Sequence, residues 1–224
     1  MADGNRRWAK LNDPAGTVVS GYEAGEAKLL EFVSWCEEVG IEVVTLWVLS
    51  PDNLSRPSDE VGPLLDVIVD LVRRLAGRGQ WPVQIVGDLS LLPQATADAL
   101  RAAESTAGRT GMHINVAVSY GGRRELRDAF RSLLAEEANK GTTLAELAQT
   151  IEIDTIEQHL YTAGQPDPDL IIRTSGEQRV SDFLIWQSAH SEFYFCEALW
   201  PDFRRVDFLR AMRSFTQRER RFGQ

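Results

Sequence analysis

The chain has 224 residues, 43% of them hydrophobic and 25% charged, with 24 Lys and Arg against 33 Asp and Glu for a net charge of -9. That size and balance suit one α/β domain with a core of useful size, and the acidic excess argues against general nucleic-acid binding, which rests on surplus positive charge. No apolar run approaches the roughly 20 residues of a membrane span, the start Met1-Ala2-Asp3-Gly4-Asn5 does not read as a signal peptide, and Cys36 and Cys196 read as two buried thiols in a reducing cytoplasm.

Along the chain, Leu29 to Val39 has apolar residues at helical spacing, stopped by Gly40. Ile41 to Leu49 is a continuous apolar, β-branched run that predicts a buried parallel strand feeding the polar Ser50-Pro51-Asp52-Asn53. Val61 to Leu75 predicts a helix, Pro82 to Val86 a strand, Thr96 to Ala107 a helix and Met112 to Ser119 a third strand. A helix from Arg124 to about Lys140 follows, then short helices over Thr143–Thr150 and Ile153–Tyr161. Leu170 to Ile172 and Phe193 to Phe195 predict short strands, and Asp207 to Phe222 a closing helix. Strands that alternate with helices and end in Gly, Ser, Asn or Arg predict a single α/β domain. Its central sheet is mostly parallel, flanked by helices, with ligands beyond the carboxyl ends of the strands.

Three polar stretches stand out for chemistry. In Asp3-Gly4-Asn5-Arg6-Arg7-Trp8-Ala9-Lys10 a turn-prone start precedes good helix formers. Helix N-termini favour anions, Gly4 lets backbone come close to a phosphate, and Arg6 and Arg7 add charge-assisted donors. Asp3 beside such a site calls for a cation between the negative groups, and Mg2+ typically takes one or two carboxylates plus substrate phosphates; a plain helix cap is the bland alternative. In Arg173-Thr174-Ser175-Gly176-Glu177-Gln178-Arg179-Val180-Ser181 two arginines flank a Ser-Gly turn at a strand end, which suits a diphosphate, with Glu177 orienting one arginine. The third stretch, Phe183 to Glu192, reads as a helix-like apolar run that ends on a carboxylate, with His190 more at home as a structural histidine than as a general base.

Asp3-Gly4-Asn5-Arg6-Arg7-Trp8-Ala9, Tyr120-Gly121-Gly122-Arg123, Asp169 to Glu177, Trp200-Pro201-Asp202-Phe203 and Arg220-Arg221-Phe222-Gly223 occur in one order over essentially the whole chain. Together they resemble the cis-prenyltransferase family, that of undecaprenyl diphosphate synthase. The resemblance implies a Mg2+-dependent, homodimeric, cytoplasmic enzyme that joins isopentenyl diphosphate to an allylic diphosphate and makes a Z double bond. It implies an apolar product tunnel and a weak membrane association through the lipid product. It also assigns roles. Asp3 is the catalytic, Mg2+-holding aspartate, and Ser50 and Asn53 lie near the reacting carbons. Gly4, Asn5, Arg6, Arg7, Trp8, Tyr22 and Arg56 belong to the allylic site. Arg173, Arg179 and Ser181 belong to the isopentenyl diphosphate site, completed by Arg221 and Gly223 from a partner. Glu192 is a second Mg2+ ligand, reaching across the dimer.

Departures from the family pattern point to a short product. Trp47-Val48-Leu49-Ser50 stands where long-chain members read Tyr-Ala-Phe-Ser, Tyr22 where histidine is common, Val18 where arginine is frequent and His190 where tyrosine is usual. These features resemble the branch that makes (2Z,6E)-farnesyl diphosphate, with Val48 as the product-length residue. The rivals are a long-chain polyprenyl diphosphate synthase, an enzyme that condenses two dimethylallyl units, and a non-catalytic partner subunit, which would tend to lose Asp3 and the arginines. The family's apolar strand ahead of the aspartate is missing here, since only two residues precede Asp3. The expectation is therefore a gap in the sheet with unpaired backbone on both sides, and a natural protein that is longer.

Overall fold

The computed structural model describes residues 1–217 of the chain. Helices α1 (Asn5–Asn12) and α2 (Val19–Glu38) lead to strand β1 (Val43–Trp47), followed by α3 (Ser58–Ala76), β2 (Val83–Val86), α4 (Gln94–Glu104) and β3 (His113–Ala117). Then come α5 (Gly122–Lys140), the short α6 (Leu144–Thr150) and α7 (Ile153–Glu157), β4 (Leu170–Arg173), β5 (Glu192–Phe195) and α8 (Arg205–Gln217). The elements fall close to the expected places. The main extension is α2, which begins ten residues before the apolar periodicity does. Its first turns carry Gly21 and Gly25 because α1 lies against them: a Cβ on Gly21 would sit 2.2 Å from the Asn5 carbonyl oxygen, and one on Gly25 2.5 Å from Asn5 Oδ1.

Every strand pair is parallel. β1, β3 and β2 form one sheet in that order, with Trp47, Ala117 and Val86 level at its carboxyl end, and β4 pairs with β5. Fully buried Val33, Val72, Leu75, Leu100, Ile114 and Val116 join α2, α3 and α4 to the first sheet. A cluster of aromatic rings, with Phe32 against Phe208 at 5.4 Å and Trp200 stacked on Phe203 at 5.4 Å, closes the side where α8 returns. Cys36 is buried and Cys196 only half-buried, so the expectation of two buried thiols holds for the first alone; both are free.

One feature differs from expectation. The Phe183–Ser191 stretch is a chain of turns, not a helix, and Ser181, Asp182 and Leu184 all have positive φ, a conformation an apolar periodicity cannot reveal. Among the described residues the strands fall into two sheets, β1-β3-β2 and β4-β5. β1 and β4 face each other across an apolar cavity of about 470 Å³, lined by residues of both strands together with Met1 and Ala2. Met1 occupies only the last rung: its N–H group donates to the Ile172 carbonyl at 2.9 Å and its own carbonyl accepts from Thr174 N–H at 3.4 Å. That is the parallel-ladder pattern, with Met1 opposite Arg173. Burial, helped by the positive charge of Arg173, pushes the Met1 amine down to about 5.

This geometry yields a prediction. An added segment of about five alternating β-branched residues ahead of Met1 should pair with both strand edges and raise Tm by ~5–10 °C, since each kcal/mol is worth roughly 2–4 °C at this size. It should also flatten the pH dependence of stability. With the amine at about 5 in the folded chain and an ordinary 8.0 unfolded, the unfolded state binds more protons between those values, so stability rises with pH across that window. Calorimetry of both forms at several pH values measures both effects; an unchanged Tm and pH slope would show that the gap accepts no strand.

Candidate active site

The amino end of α1 and the carboxyl ends of β1 and β4 meet in one cleft of about 600 Å³. Asp3, Gly4, Asn5, Arg6 and Arg7 enter from the α1 side, and Trp47, Val48, Leu49, Ser50 and Asn53 from the end of β1. Arg173, Glu177, Arg179 and Ser181 enter from the segment after β4, with Tyr22, Arg56 and Leu64 beneath. Thirteen of the sequence-derived site residues are therefore brought together from positions 3 to 181 of the chain.

The centre is the ion pair between Arg173 Nη2 and Asp3 Oδ2, 3.0 Å apart. Arg173 is 4% exposed. A buried guanidinium needs partners for its donors, and it finds them in Asp3, in Ser181 Oγ at 2.8 Å and in the Arg179 carbonyl. Among the described residues its Nε–H has no hydrogen-bond partner. Arg179 Nε donates to the same Ser181 hydroxyl at 3.1 Å, and its guanidinium pairs with Glu177. Glu177 also faces Arg7 at 3.8 Å, so it orients two arginines. Arg7 further donates to the Ser175 carbonyl at 3.4 Å.

On the α1 side, Gly4 has φ 107, a left-handed conformation, and a Cβ there would lie 2.8 Å from Leu199 Cδ2. The glycine thus answers a turn and a close packing contact. No side chain caps α1, which leaves first-turn N–H groups for an anion. Arg6 pairs with Glu60 at 3.4 Å, and Arg56 donates to the Tyr22 hydroxyl at 3.4 Å. Burial pushes the Tyr22 phenol up, which keeps it a neutral hydrogen-bonding group. Ser50 N–H donates to Asn53 Oδ1 at 3.2 Å, which closes the turn after β1 and fixes both residues at the strand end.

Two assignments among the described residues, Trp8 and Glu192, are not gathered here. Trp8 does not line the cleft and donates its indole N–H to Asp202 at 2.8 Å, which ties α1 to the Trp200–Asp202 turn. Glu192 lies at the amino end of β5, level with Leu170, and does not line the cleft of its own chain. His190 is exposed and likewise lies off the cleft. Arg221 and Gly223 lie outside the described residues. Two residues went unassigned from sequence. Lys10, one turn after Arg6, adds a sixth cation to the lining. Thr174, fully buried, accepts from Asp3 N–H at 3.0 Å and donates to the Asp3 carbonyl at 2.9 Å, so it sets the backbone that carries the carboxylate. Its hydroxyl between Arg173 and the Ser-Gly turn was the available signal.

The donor set fits Mg2+ in one way. Among the described residues no group of three or more His, Cys, Asp or Glu could cage an ion. Asp3 is the carboxylate at the centre of the cleft and its side chain is 40% exposed, which suits an ion held by one carboxylate and completed by substrate phosphates.

Parallel strands ending on a cation-rich cleft with one central carboxylate and an apolar wall define an α/β enzyme suited to diphosphate esters of hydrocarbon chains. The chain belongs to the prenyltransferase family described as "Putative undecaprenyl diphosphate synthase", which it matches over residues 1–223. It is 59% identical to a (2Z,6E)-farnesyl diphosphate synthase of Thermobifida fusca over 224 residues, all of this chain and 87% of the relative. It is 52% identical to the enzyme of the same name from Mycolicibacterium smegmatis, over all of this chain and 86% of the relative. Among solved structures it resembles lavandulyl diphosphate synthase from Lavandula x intermedia in complex with dimethylallyl diphosphate. The TM-score is 0.88 at 36% identity, covering 99% of this chain and 95% of that one.

Thr174→Val tests the local architecture. It keeps shape but leaves the Asp3 N–H without its hydroxyl acceptor, a loss of about 1–3 kcal/mol for a buried donor. Urea unfolding should show that loss with an unchanged slope, and prenyltransferase turnover should drop with it. Wild-type stability and turnover would mean that Thr174 does not hold Asp3.

Proposed function

We propose that this chain is a Mg2+-dependent cis-prenyltransferase that condenses isopentenyl diphosphate with a short allylic diphosphate to give a short-chain Z-prenyl diphosphate, (2Z,6E)-farnesyl diphosphate. One observation carries the reading. In a chain of net charge -9, six cations among the described residues (Arg6, Arg7, Lys10, Arg56, Arg173 and Arg179) line one cleft, and the carboxylates of that lining are Asp3 and Glu177. Beside them the wall turns apolar at Val48, Leu49 and Leu64. Two diphosphates and a hydrocarbon tail match that division of surface.

Arg6, Arg7 and the first turn of α1 hold the allylic diphosphate. Arg173, Arg179 and Ser181 hold the isopentenyl one, in the part of the cleft organised by Glu177. Placing both substrates in one frame removes most of the entropy cost of a bimolecular step. The allylic C1–O bond breaks with its electron pair going to the departing diphosphate, whose growing charge the arginines and N–H groups stabilise. The C3=C4 π electrons of isopentenyl diphosphate form the new bond from C4 to C1, and C2 gives its proton to an oxygen of the departing diphosphate, so that the double bond forms between C2 and C3. Asp3 would hold Mg2+ together with phosphate oxygens, and the ion supplies charge neutralisation at the leaving group. Ser50 and Asn53, fixed by their mutual turn, face the reacting carbons, and Val48 and Leu64 bound the tail. The working unit is a cytoplasmic homodimer of single-domain chains, weakly drawn to membranes by its product, in which Glu192 and the residues around Arg221 and Gly223 serve the neighbouring site.

The decisive experiment supplies labelled isopentenyl diphosphate with dimethylallyl, geranyl or farnesyl primers and sizes the products. A C15 product is expected, with turnover abolished by EDTA and cut at least a hundredfold by Asp3→Ala while the far-ultraviolet spectrum is kept. Sedimentation of the same preparation should give twice the 25.1 kDa chain mass. Full activity in EDTA, or products of C50 and longer, would defeat the mechanism or the chain-length reading respectively.

Product length has its own test. Val48 lines the cleft and packs against the core below it. Its bulk opposes passage of a longer chain by an overpacking cost of about 1–3 kcal/mol, enough to turn elongation into release at roughly tenfold per 1.4 kcal/mol. Val48→Ala should lengthen the products with little change in the first condensation. Unchanged products would move the stop to Leu64 on α3.

A further inference from the structure

Tyr120-Gly121-Gly122-Arg123 has no part in the chemistry above, and none of the four lines the cleft. Its surroundings give it one. The two glycines open α5, and the turns around Asp182 lie directly on them. A Cβ on Gly121 would sit 2.6 Å from Asp182 Oδ2, and one on Gly122 2.7 Å from Ile185 Cγ1 and 3.2 Å from the Asp182 carbonyl oxygen. Gly122 N–H donates to that carbonyl at 2.7 Å, and Arg123 N–H to Asp182 Oδ1 at 3.0 Å, so Asp182 occupies the amino end of α5.

One turn further along α5 is Glu125, a carboxylate only 1% exposed and with no cation among its partners. It accepts from the Tyr120 hydroxyl, from Tyr161 N–H at 2.9 Å and from Gln187 Nε2 at 3.1 Å. Burial pushes its carboxyl up. A charge-bearing group held so far from water is costly unless its bonds specify something. What they join is the segment between β3 and α5 through Tyr120, the 159–165 turns through Tyr161, and the far end of the 181–188 segment through Gln187. That segment is strained, with φ 47 at Ser181, 71 at Asp182 and 45 at Leu184, none of them glycine. Such backbone persists only where its surroundings over-determine it. Its first residue, Ser181, is the hydroxyl shared by Arg173 and Arg179.

We infer that Glu125 and Asp182, with the paired glycines, form a clamp that holds the strained 181–188 segment so that Ser181 sets the two arginines of the isopentenyl diphosphate site. Both are positioning residues: neither reaches the cleft, and each acts through the segment it pins. The inference rests on the proposed assignment of Arg173, Arg179 and Ser181 to that substrate.

The test is steady-state kinetics with each substrate varied in turn. Glu125→Ala should raise KM for isopentenyl diphosphate at least tenfold, with KM for the allylic primer within about twofold of wild type. Glu125→Gln, whose carbonyl oxygen can replace Oε1 and accept from Tyr161 N–H and Gln187 Nε2 while its amide N–H replaces Oε2 and donates to the Tyr120 hydroxyl oxygen, should restore most of the loss. Should Glu125→Ala not fold, the half-buried Asp182→Ala carries the same expectation. A folded Glu125→Ala or Asp182→Ala with unchanged KM for isopentenyl diphosphate, or with both KM values raised equally, overturns the clamp. Ser181→Ala separates the two levels of failure. If it raises that KM while the clamp variants do not, the substrate assignment stands and the positioning role falls. If it too is without effect, both fall.

Discussion

A guanidinium that is almost wholly withdrawn from water must be met on nearly every side, and Arg173 imposes that demand on the whole cleft. It stands at the end of β4, 4% exposed, and its partners come from residue 3, residue 179 and residue 181. Removing any one partner leaves a buried charge poorly compensated, which typically costs several kcal/mol. The chain's first residues are accordingly drawn in beside β4, α1 begins at Asn5 two residues after Asp3, and Thr174 ties the two backbones together. What looks in sequence like two separate motifs, 170 residues apart, is in space a single bonded unit.

The same pair explains how a cleft so rich in arginine stays assembled before substrate arrives. Six cations facing one another repel, and the two carboxylates among them are placed to divide that repulsion: Asp3 takes Arg173, while Glu177 takes Arg179 and faces Arg7. Lys10 lies on the exposed face of α1, and Arg56 leans on the phenol of Tyr22. The bonds that hold the free site are thus the ones diphosphate oxygens replace or extend, which keeps the reorganisation on binding small.

Much of this was legible from residues alone, for physical reasons that differ by element. The strands were readable because β-branched apolar runs ended abruptly in Ser50, Gly87, Tyr120 and Arg173, and a parallel sheet buried on both faces needs such runs. The cleft was readable because charge-assisted donors must cluster where the chain as a whole is acidic. The 183–191 segment was not readable: Phe183, Leu184, Trp186 and Gln187 are spaced like a helix face, yet the contact with Gly121 and Gly122 forces left-handed backbone instead. Trp8 sits inside the Asn-Arg-Arg motif in sequence, but the helical turn rotates it to the far side, toward Asp202. Thr174 and Glu125 are ordinary residues by type, and their roles exist only as hydrogen bonds across long sequence separations.

The concentration of six cations on an otherwise acidic molecule has a consequence for the encounter with substrate. A polyanionic diphosphate meets net repulsion from the chain's charge of -9 at long range and attraction only near the cleft mouth. At ionic strength of 0.15 M the Debye length is about 8 Å, against about 30 Å at 0.01 M. Moderate salt therefore erases the distant repulsion while the partly desolvated arginines remain felt. Capture of diphosphates should be fastest not in the most dilute buffer but at an intermediate salt concentration, beyond which the cleft's own pull is screened as well.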